Sequence, residues 1–210
     1  TTSSAVVRGG RTIDLCDDNG VAWVTDQGGN AVVSRETTIK NEGTASVKIA
    51  LGAGATTGLV AHHVITSIDL SAEDSIGFWF RSDTALSAGD FKILLDDTAA
   101  CTSPIELIDI PAISANTWTW VNVAMADPSL CTAIVSVGLK QIVDKGAMNC
   151  YIDFIVSGDW AGQLAVGDKF RISTVNDGTF SSQVWYTILT VDSDTQVTLT
   201  ANYAAASADA

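Results

Sequence analysis

The feature that most constrains the fold of this chain is a recurring alternation of apolar and polar side chains with a period of two. Val47, Ile49 and Leu51 flank Lys48 in this way. The same strand-like pattern recurs in residues 76–81, 91–96, 118–125, 134–139, 150–156, 169–174, 185–191 and 196–200. A period of two sends successive side chains to opposite faces of a β-strand. No stretch of a dozen residues carries a capped helical stripe, so the sequence predicts an all-β fold.

The spacing of the turn signals changes near residue 157 and indicates two domains. Before it, long strands alternate with irregular loops, and after it short strands alternate with closely spaced turns rich in Gly, Asp and Asn. We therefore predict an N-terminal arm over residues 1–12, a β-sandwich over 13–157, a small β-barrel-like module over 158–206 and a tail over 207–210. The arm is interpreted either as a frayed terminus or as a strand added to a neighbour.

The charge balance argues against two classes of partner. The chain has 11 Lys and Arg against 24 Asp and Glu, which gives a formal net charge of -13. Nucleic acid and anionic membrane surfaces would repel such a protein. No apolar run approaches the roughly 18 residues that a membrane-spanning helix needs. We therefore expect a soluble protein without a nucleic-acid or membrane partner.

Several segments of the longer domain carry a family resemblance. They are Asn41-Glu-Gly-Thr-Ala-Ser-Val-Lys-Ile, Ser67-Ile-Asp-Leu-Ser, Ile76-Gly-Phe-Trp-Phe-Arg-Ser, Trp118-Thr-Trp-Val-Asn-Val and Tyr151-Ile-Asp-Phe-Ile. Together they resemble the jelly-roll of galactose-binding-like domains and carbohydrate-binding modules, over about residues 14–155. The resemblance implies a jelly-roll β-sandwich in which the closing strand lies beside the opening strand.

The same resemblance implies a structural calcium ion held by acids of the first and last strands. The matching residues are Asp17, Asp18 and Asp153. Carboxylate oxygens are hard ligands that suit Ca²⁺. The alternative is that Asp153 accepts hydrogen bonds at a strand end without a metal ion. No other cofactor is expected.

The four cysteines would have a defined arrangement in such a jelly-roll. Cys16 on the first strand and Cys150 on the last would face each other, which leaves Cys101 and Cys131 to link two long loops. This is one of three connectivities, and four buried free thiols are the alternative. No CxxC spacing occurs, so a zinc site is not expected.

Two tryptophans are candidates for sugar stacking. Trp118 and Trp120 are two residues apart, so they share one face of a strand and would form a platform if that face is exposed. The alternative is that both rings pack in the core, as tryptophans in alternating strands commonly do.

No recognisable catalytic constellation is present. The acid pairs Asp17-Asp18 and Asp96-Asp97 are interpreted as solvated turn residues, and the adjacent His62 and His63 would point to opposite faces of a strand, which disfavours joint metal binding. No G-x-S-x-G, HExxH or P-loop motif occurs. We therefore predict no catalytic residue and a protein that is not an enzyme.

The C-terminal region carries a second resemblance. Leu164-Ala-Val-Gly-Asp-Lys-Phe-Arg-Ile followed by Val191-Asp-Ser-Asp-Thr-Gln-Val-Thr-Leu-Thr-Ala-Asn-Tyr resembles a β-module of tailed-bacteriophage virion proteins. The resemblance implies a structural protein of the virion, assembled in the host cytoplasm. We expect it to decorate the capsid or to belong to the tail or a fibre, with the major capsid protein, other virion proteins and further copies of itself as partners. The alternative is an extracellular, carbohydrate-binding adhesin with a glycan partner.

Overall fold

The computed structural model describes residues 11–18 and 22–158, together with the backbone of three strands between residues 169 and 199. The chain divides into two compact units, of which Arg11–Gly158 is one. Residues 1–10 of the predicted arm, the predicted tail and most of the predicted C-terminal module lie outside the described residues. The same holds for Trp160 and Trp185.

The unit Arg11–Gly158 is built almost entirely of strands. They are β1 Thr12–Asp14, β2 Val24–Thr25, β3 Ala31–Glu36, β4 Ser46–Leu51, β5 Gly58–Ile68, β6 Ser75–Ser82, β7 Phe91–Asp96, β8 Glu106–Asp109, β9 Thr119–Ala124, β10 Ile134–Gln141 and β11 Met148–Ser157. Two short 3-10 helices, Gly28–Asn30 and Pro128–Leu130, lie in loops. No helix in the described part of the chain is long and apolar enough to cross a membrane.

The strands form two antiparallel sheets. Sheet A has the order β3-β4-β11-β6-β9, with β1 also paired to β11, and sheet B has the order β2-β5-β10-β7-β8. The opening strand does lie beside the closing strand, because Thr12 is opposite Val156 and Asp14 is opposite Ile155. The all-β sandwich expected from the alternation is confirmed.

The two sheets bury a single hydrophobic core between them. Ile49 of β4 and Phe78 and Phe80 of β6 come from sheet A, and Ile93 of β7 and Leu139 of β10 come from sheet B, each fully buried. Burying one such side chain contributes about 1.5–3 kcal/mol. The period of two fixes which residues face this core, and it leaves the intervening residues on the outer faces of the sandwich.

The second unit contains three described strands: β12 Lys169–Phe170, β13 Tyr186–Ser193 and β14 Gln196–Leu199. They form an antiparallel sheet in the order β12-β13-β14, with Ile188 opposite Leu199. Closure of this sheet into a small barrel stays a prediction.

Candidate functional site

Two indole rings lie on the outer face of sheet A. Trp79 of β6 and Trp120 of β9 are directly opposite each other, with ring centroids 5.3 Å apart and planes inclined by 63°. Their strand neighbours Phe78, Phe80 and Val121 point into the core, so both indoles point outward. Trp120 is 37% exposed, which leaves a large apolar ring accessible to a ligand.

The orientation of the two indoles is fixed by contacts below and beside them. A Cβ atom added at Gly77 would lie 2.5 Å from Cζ2 of Trp120, so the Trp120 ring rests against a position that has no side chain. Nε1 of Trp79 donates a hydrogen bond of 2.9 Å to Oε1 of Glu42. The rings are therefore held in place before any ligand arrives.

A second group of side chains on the same face surrounds Tyr151 of β11. Tyr151 lies opposite Lys48 of β4 on one side and Arg81 of β6 on the other. Cζ of Arg81 is 5.1 Å and Nζ of Lys48 is 5.9 Å from the centroid of the Tyr151 ring. The half-buried Trp118 ring meets Tyr151 edge to face at 6.3 Å. We call Trp79, Trp118, Trp120 and Tyr151, with Lys48 and Arg81, the ring platform.

The structure thus places both predicted stacking residues, Trp118 and Trp120, on one outer face. The alternative, a tryptophan packed in the core, describes Trp23, which is 2% exposed. Sequence reasoning missed Trp79 and Tyr151. Trp79 could have been found, because Phe78 and Phe80 on either side of it belong to the core face of the same strand. Tyr151 joins the site only through the register of β11 with its two neighbours.

The outer face of sheet B is partly closed by residues 97–104, which we call the strap. Oγ of Ser136 donates to the carbonyl oxygen of Thr98 at 2.5 Å, and the backbone N–H of Cys101 donates to Oγ of Ser136 at 3.3 Å. A Cβ atom at Gly138 would lie 2.9 Å from Sγ of Cys101. Leu94, on the same face, is only 1% exposed. The two outer faces of the sandwich therefore differ in accessibility.

Asp96 anchors the strap, and its interpretation as a solvated turn residue is wrong. It is fully buried, and its carboxylate accepts hydrogen bonds from N of Thr98 at 3.0 Å, Oγ1 of Thr98 at 2.8 Å and N of Ser103 at 2.9 Å. Burial alone would raise the pKa of Asp96, but the hydrogen bonds from Ser103 and Thr98 outweigh burial and hold it below its usual value. Asp97, by contrast, is exposed.

A second buried carboxylate, Asp153, lies in the middle of β11 and contacts loop 41–45. Oδ2 of Asp153 accepts hydrogen bonds from N of Asn41 at 2.8 Å and N of Glu42 at 2.9 Å, whereas Oδ1 is buried and has no hydrogen-bond partner among the described residues. Burial raises the pKa of Asp153 to about 6 against the lowering effect of these two N–H groups, and the charges of Asp17 and Glu42 raise it further. An ionised, unpartnered oxygen in this place is costly unless a cation joins it.

Asp17 holds the other end of the same loop. Its Oδ1 accepts hydrogen bonds from N of Thr44 at 2.5 Å, Oγ1 of Thr44 at 3.1 Å and N of Ala45 at 2.8 Å. Burial raises the pKa of Asp17, but these hydrogen bonds outweigh it and the pKa lies below its usual value. Gly43 has a φ of 55°, and a Cβ atom there would collide with the Asp17 carboxylate.

These donors fit a hard cation only in part. Asp153 offers a free buried oxygen and Asp17 lies close enough for its charge to act on Asp153. Asp18 instead lines a groove of about 500 Å³ between β1 and the second half of β5, together with Asp14 and His63. Among the described residues, no group of three or more His, Cys, Asp or Glu side chains is placed to hold a metal ion.

The two histidines bind different carboxylates. Nδ1 of His62 lies 2.7 Å from Oδ2 of Asp26, and Nδ1 of His63 lies 2.7 Å from Oδ2 of Asp14. Nε1 of Trp23 also donates to Oδ2 of Asp14, at 2.8 Å. The adjacent histidines therefore do not meet at one site.

The predicted disulfides are absent, because all four cysteines are buried free thiols. Cys150 lies opposite Ile49 and Ser82, whereas Cys16 is hydrogen-bonded by the backbone of Phe154. Phe154 is four positions along β11 from Cys150, about 13 Å at the usual rise per residue. Cys16 therefore lies too far from Cys150 for a disulfide.

The second predicted bridge fails for a related reason. Cys131 belongs to the core between the sheets, whereas Cys101 lies in the strap on the outer face of sheet B. The sheet itself separates the two thiols. Burial raises the pKa of both thiols to about 11.

Comparison with known proteins finds similarity in structure only. No family model and no curated protein matches the sequence. The family 11 carbohydrate-binding module from Clostridium thermocellum, solved with a β-1,3-1,4-mixed-linked tetrasaccharide, matches with a TM-score of 0.51 and 14% identity, over 74% of this chain and 97% of that one. The family 11 module of the cellulase Lic26A-Cel5E from the same organism matches with a TM-score of 0.49 and 14% identity, over 72% and 95%. Identities this low show the fold alone: a jelly-roll β-sandwich like that of carbohydrate-binding modules.

Proposed function

We propose that the unit Arg11–Gly158 binds carbohydrate and that the ring platform is its binding surface. The observation that carries the proposal is the exposed Trp120 indole, which is held against Gly77 and beside Trp79 on an open sheet face. The C–H faces of a sugar ring stack on such an indole, and a ring that is already oriented loses little freedom on binding. The likeness of fold to the family 11 module that was solved with a tetrasaccharide supports the same function.

The test is a glycan-binding measurement with Trp120→Ala. We expect the full-length protein to bind at least one polysaccharide and Trp120→Ala to bind it at least about tenfold more weakly, as for an aromatic anchor. Leu107→Ala is the matched control, because Leu107 is a 43% exposed apolar residue of sheet B. Circular dichroism verifies that both variants are folded. Equal affinity of Trp120→Ala and the parent protein, or no binding to any glycan, would overturn the proposal.

We also propose that Asp153 and Asp17 hold a structural Ca²⁺ ion. The supporting observation is the buried Oδ1 of Asp153, which has no hydrogen-bond partner in the part of the chain that the structure describes. Bound Ca²⁺ would supply the positive charge that this oxygen lacks and would fix loop 41–45. Because the Trp79 indole is hydrogen-bonded to Glu42 of this loop, the ion would also steady one edge of the ring platform.

Thermal unfolding in EDTA and in millimolar CaCl₂ tests the calcium proposal. We expect Ca²⁺ to raise the Tm of the parent protein and of Asp97→Asn, since a ligand bound only to the folded state stabilises it. Asp153→Asn keeps the shape and an acceptor for the two N–H groups but loses the charge, so its Tm should not respond. An equal response of Asp153→Asn would contradict the proposal.

The role as a structural protein of a tailed-phage virion stays a prediction. It rests on the resemblance of the C-terminal segments, which lie largely outside the described residues. Its capsid partners, self-association and location in the particle stay predictions with it. A blot of purified particles for this chain decides the question, and absence of the chain would refute the virion role.

A further inference from the structure

We infer that the ring platform selects acidic polysaccharides, whose sugars carry a carboxylate or a sulfate. This inference rests on the proposed carbohydrate-binding function and adds the chemical class of the ligand. It comes from Lys48 and Arg81, two cations that lie on either side of Tyr151 in one row across β4, β11 and β6.

Lys48 and Arg81 form no salt bridge within the described residues, as is also true of Arg35 and Lys140. What distinguishes Lys48 and Arg81 is their position against the Tyr151 ring of the platform. The sequence has 24 acidic and 11 basic residues, so there are more than enough carboxylates to form an ion pair with every base. Lys92 and Lys145 do form salt bridges, at 2.6 Å with Asp109 and 3.0 Å with Asp90. The positive charge of Lys48 and Arg81 remains available at the surface.

The donors of the two cations are also largely uncommitted. A guanidinium has five N–H donors, and within the described part of the chain Arg81 uses Nη2 to donate to Oδ1 of Asn116 at 3.0 Å. Lys48 donates no hydrogen bond to a described residue, and its ammonium rests 5.9 Å from the centre of the Tyr151 ring. The ring attracts both cations through its π face and holds them at the platform.

Acids close to this row accept hydrogen bonds from other groups. Asp153, two residues beyond Tyr151 on β11, accepts from the backbone N–H groups of Asn41 and Glu42. The charge of Lys48 acts on Glu36, but Oε1 of Glu36 accepts hydrogen bonds from N of Thr38 at 2.7 Å and N of Ile39 at 3.2 Å. The Asp83 carboxylate accepts from N and Nδ2 of Asn149, at 3.0 and 2.7 Å. None of these acids forms a salt bridge with Lys48 or Arg81 within the described part of the chain.

An anionic sugar would use the rings and the cations together. Its ring stacks on Trp118 or Trp120, and its carboxylate or sulfate accepts charge-assisted hydrogen bonds from Arg81 and Lys48. The net charge of -13 repels polyanions in general, but at physiological salt the Debye length is about 8 Å, so distant acids are screened and the local pair decides. The arrangement would therefore admit a polyanion at this surface.

Affinity electrophoresis and calorimetry of the full-length protein at about 0.15 M salt test the inference. The probes are polygalacturonate and alginate for carboxylates, carrageenan for sulfates, and mixed-linkage β-glucan and xylan as neutral polysaccharides. We expect binding to at least one acidic polysaccharide, weakened roughly tenfold or more in Arg81→Gln and in Lys48→Gln, as for loss of a charged hydrogen bond. Lys140→Gln is the control, because Lys140 lies on β10 of sheet B.

The outcomes separate this inference from the proposed function. Binding to neutral polysaccharides alone, or affinities unchanged in Arg81→Gln and Lys48→Gln, would overturn the acidic class while leaving a carbohydrate-binding surface at Trp120. Loss of binding in Lys140→Gln as well would assign the effect to net charge and overturn the role of the pair. If no polysaccharide of either kind binds, the proposed function itself fails. Carboxylate and sulfate ligands are distinguished by which polysaccharide, polygalacturonate and alginate or carrageenan, binds more weakly to Arg81→Gln.

Discussion

At the scale of single residues, two positions without a side chain shape the two outer faces of the sandwich. Gly77 leaves room for the Trp120 ring on sheet A, and Gly138 leaves room for Sγ of Cys101 on sheet B. One glycine thus supports an accessible aromatic ring, and the other lets the strap approach the sheet. Sequence periodicity does not reveal either role, because the contacting residue comes from a distant segment.

Gly77→Ala should disturb the platform. A Cβ atom 2.5 Å from Cζ2 of Trp120 forces the indole to move, and overpacking of this kind costs about 1–3 kcal/mol. We expect the free energy of unfolding to fall by that amount and glycan affinity to fall with it, as followed by urea unfolding and calorimetry.

Gly29→Ala is the control for this change, since nothing lies within 4 Å of a Cβ atom at Gly29. In the double variant Gly77→Ala with Trp120→Ala, the destabilisation by the new methyl group should disappear, because its collision partner is gone. A Gly77→Ala cost that persists without the Trp120 ring would refute the contact as its cause.

At the scale of elements, a buried carboxylate anchors the strap and another helps to hold loop 41–45. Asp96 holds the strap and is satisfied by the hydrogen bonds that it accepts. Asp153 holds its loop through Oδ2 and has an unpartnered Oδ1. The first carboxylate therefore stabilises its segment unaided, whereas the second is where a cation would add stability.

The Asp96 anchor predicts a pH dependence of stability. The pKa of Asp96 is lower in the folded protein than the usual 3.8, so its contribution is present above that value and is lost as the pH falls through the folded pKa. Asp96→Asn should lower the free energy of unfolding at pH 7 by about 1–3 kcal/mol, the cost of weakening a buried charged acceptor.

Urea unfolding at pH 7 and near pH 3 measures this effect. We expect the difference between the parent protein and Asp96→Asn to shrink at the lower pH, whereas Glu73→Gln, a change outside the strap, should match the parent protein at both. A difference of the same size at both pH values would contradict the electrostatic explanation.

At the scale of the whole molecule, the sandwich is stabilised by its core without cross-links. The first and last strands are joined by backbone pairing, with Asp14 opposite Ile155, rather than by the predicted bridge between Cys16 and Cys150. All four thiols are buried and free. Stability should therefore be independent of redox conditions.

Thiol titration checks the correction. The native protein should react slowly with a thiol reagent, and the unfolded protein should show four reactive thiols per chain without prior reduction. Dithiothreitol should leave the Tm unchanged. Fewer than four reactive thiols in the unfolded, unreduced protein, or a Tm that falls on reduction, would show that a disulfide is present after all.

Much of the architecture was predictable from local pattern, and much of the site was not. Alternation predicted β4, β6 and β10, since each has one face in the core. It did not predict the full length of β5, whose second half has exposed and half-buried residues in irregular order. Spacing was enough to put Trp118 and Trp120 on one face of a strand. The position of Tyr151 depends on cross-strand register, which the sequence does not reveal. The burial of Asp96 depends on a strap that folds back onto Ser136.

The ring platform is wider than one monosaccharide. From Trp120 on β9 to Lys48 on β4 it crosses β6 and β11, and three interstrand spacings amount to about 14 Å. A single sugar touches only one end of that width, so oligosaccharides should gain affinity with each added unit until the width is covered and gain little thereafter. The number of sugars at which affinity levels off would thus measure the breadth of the recognition surface.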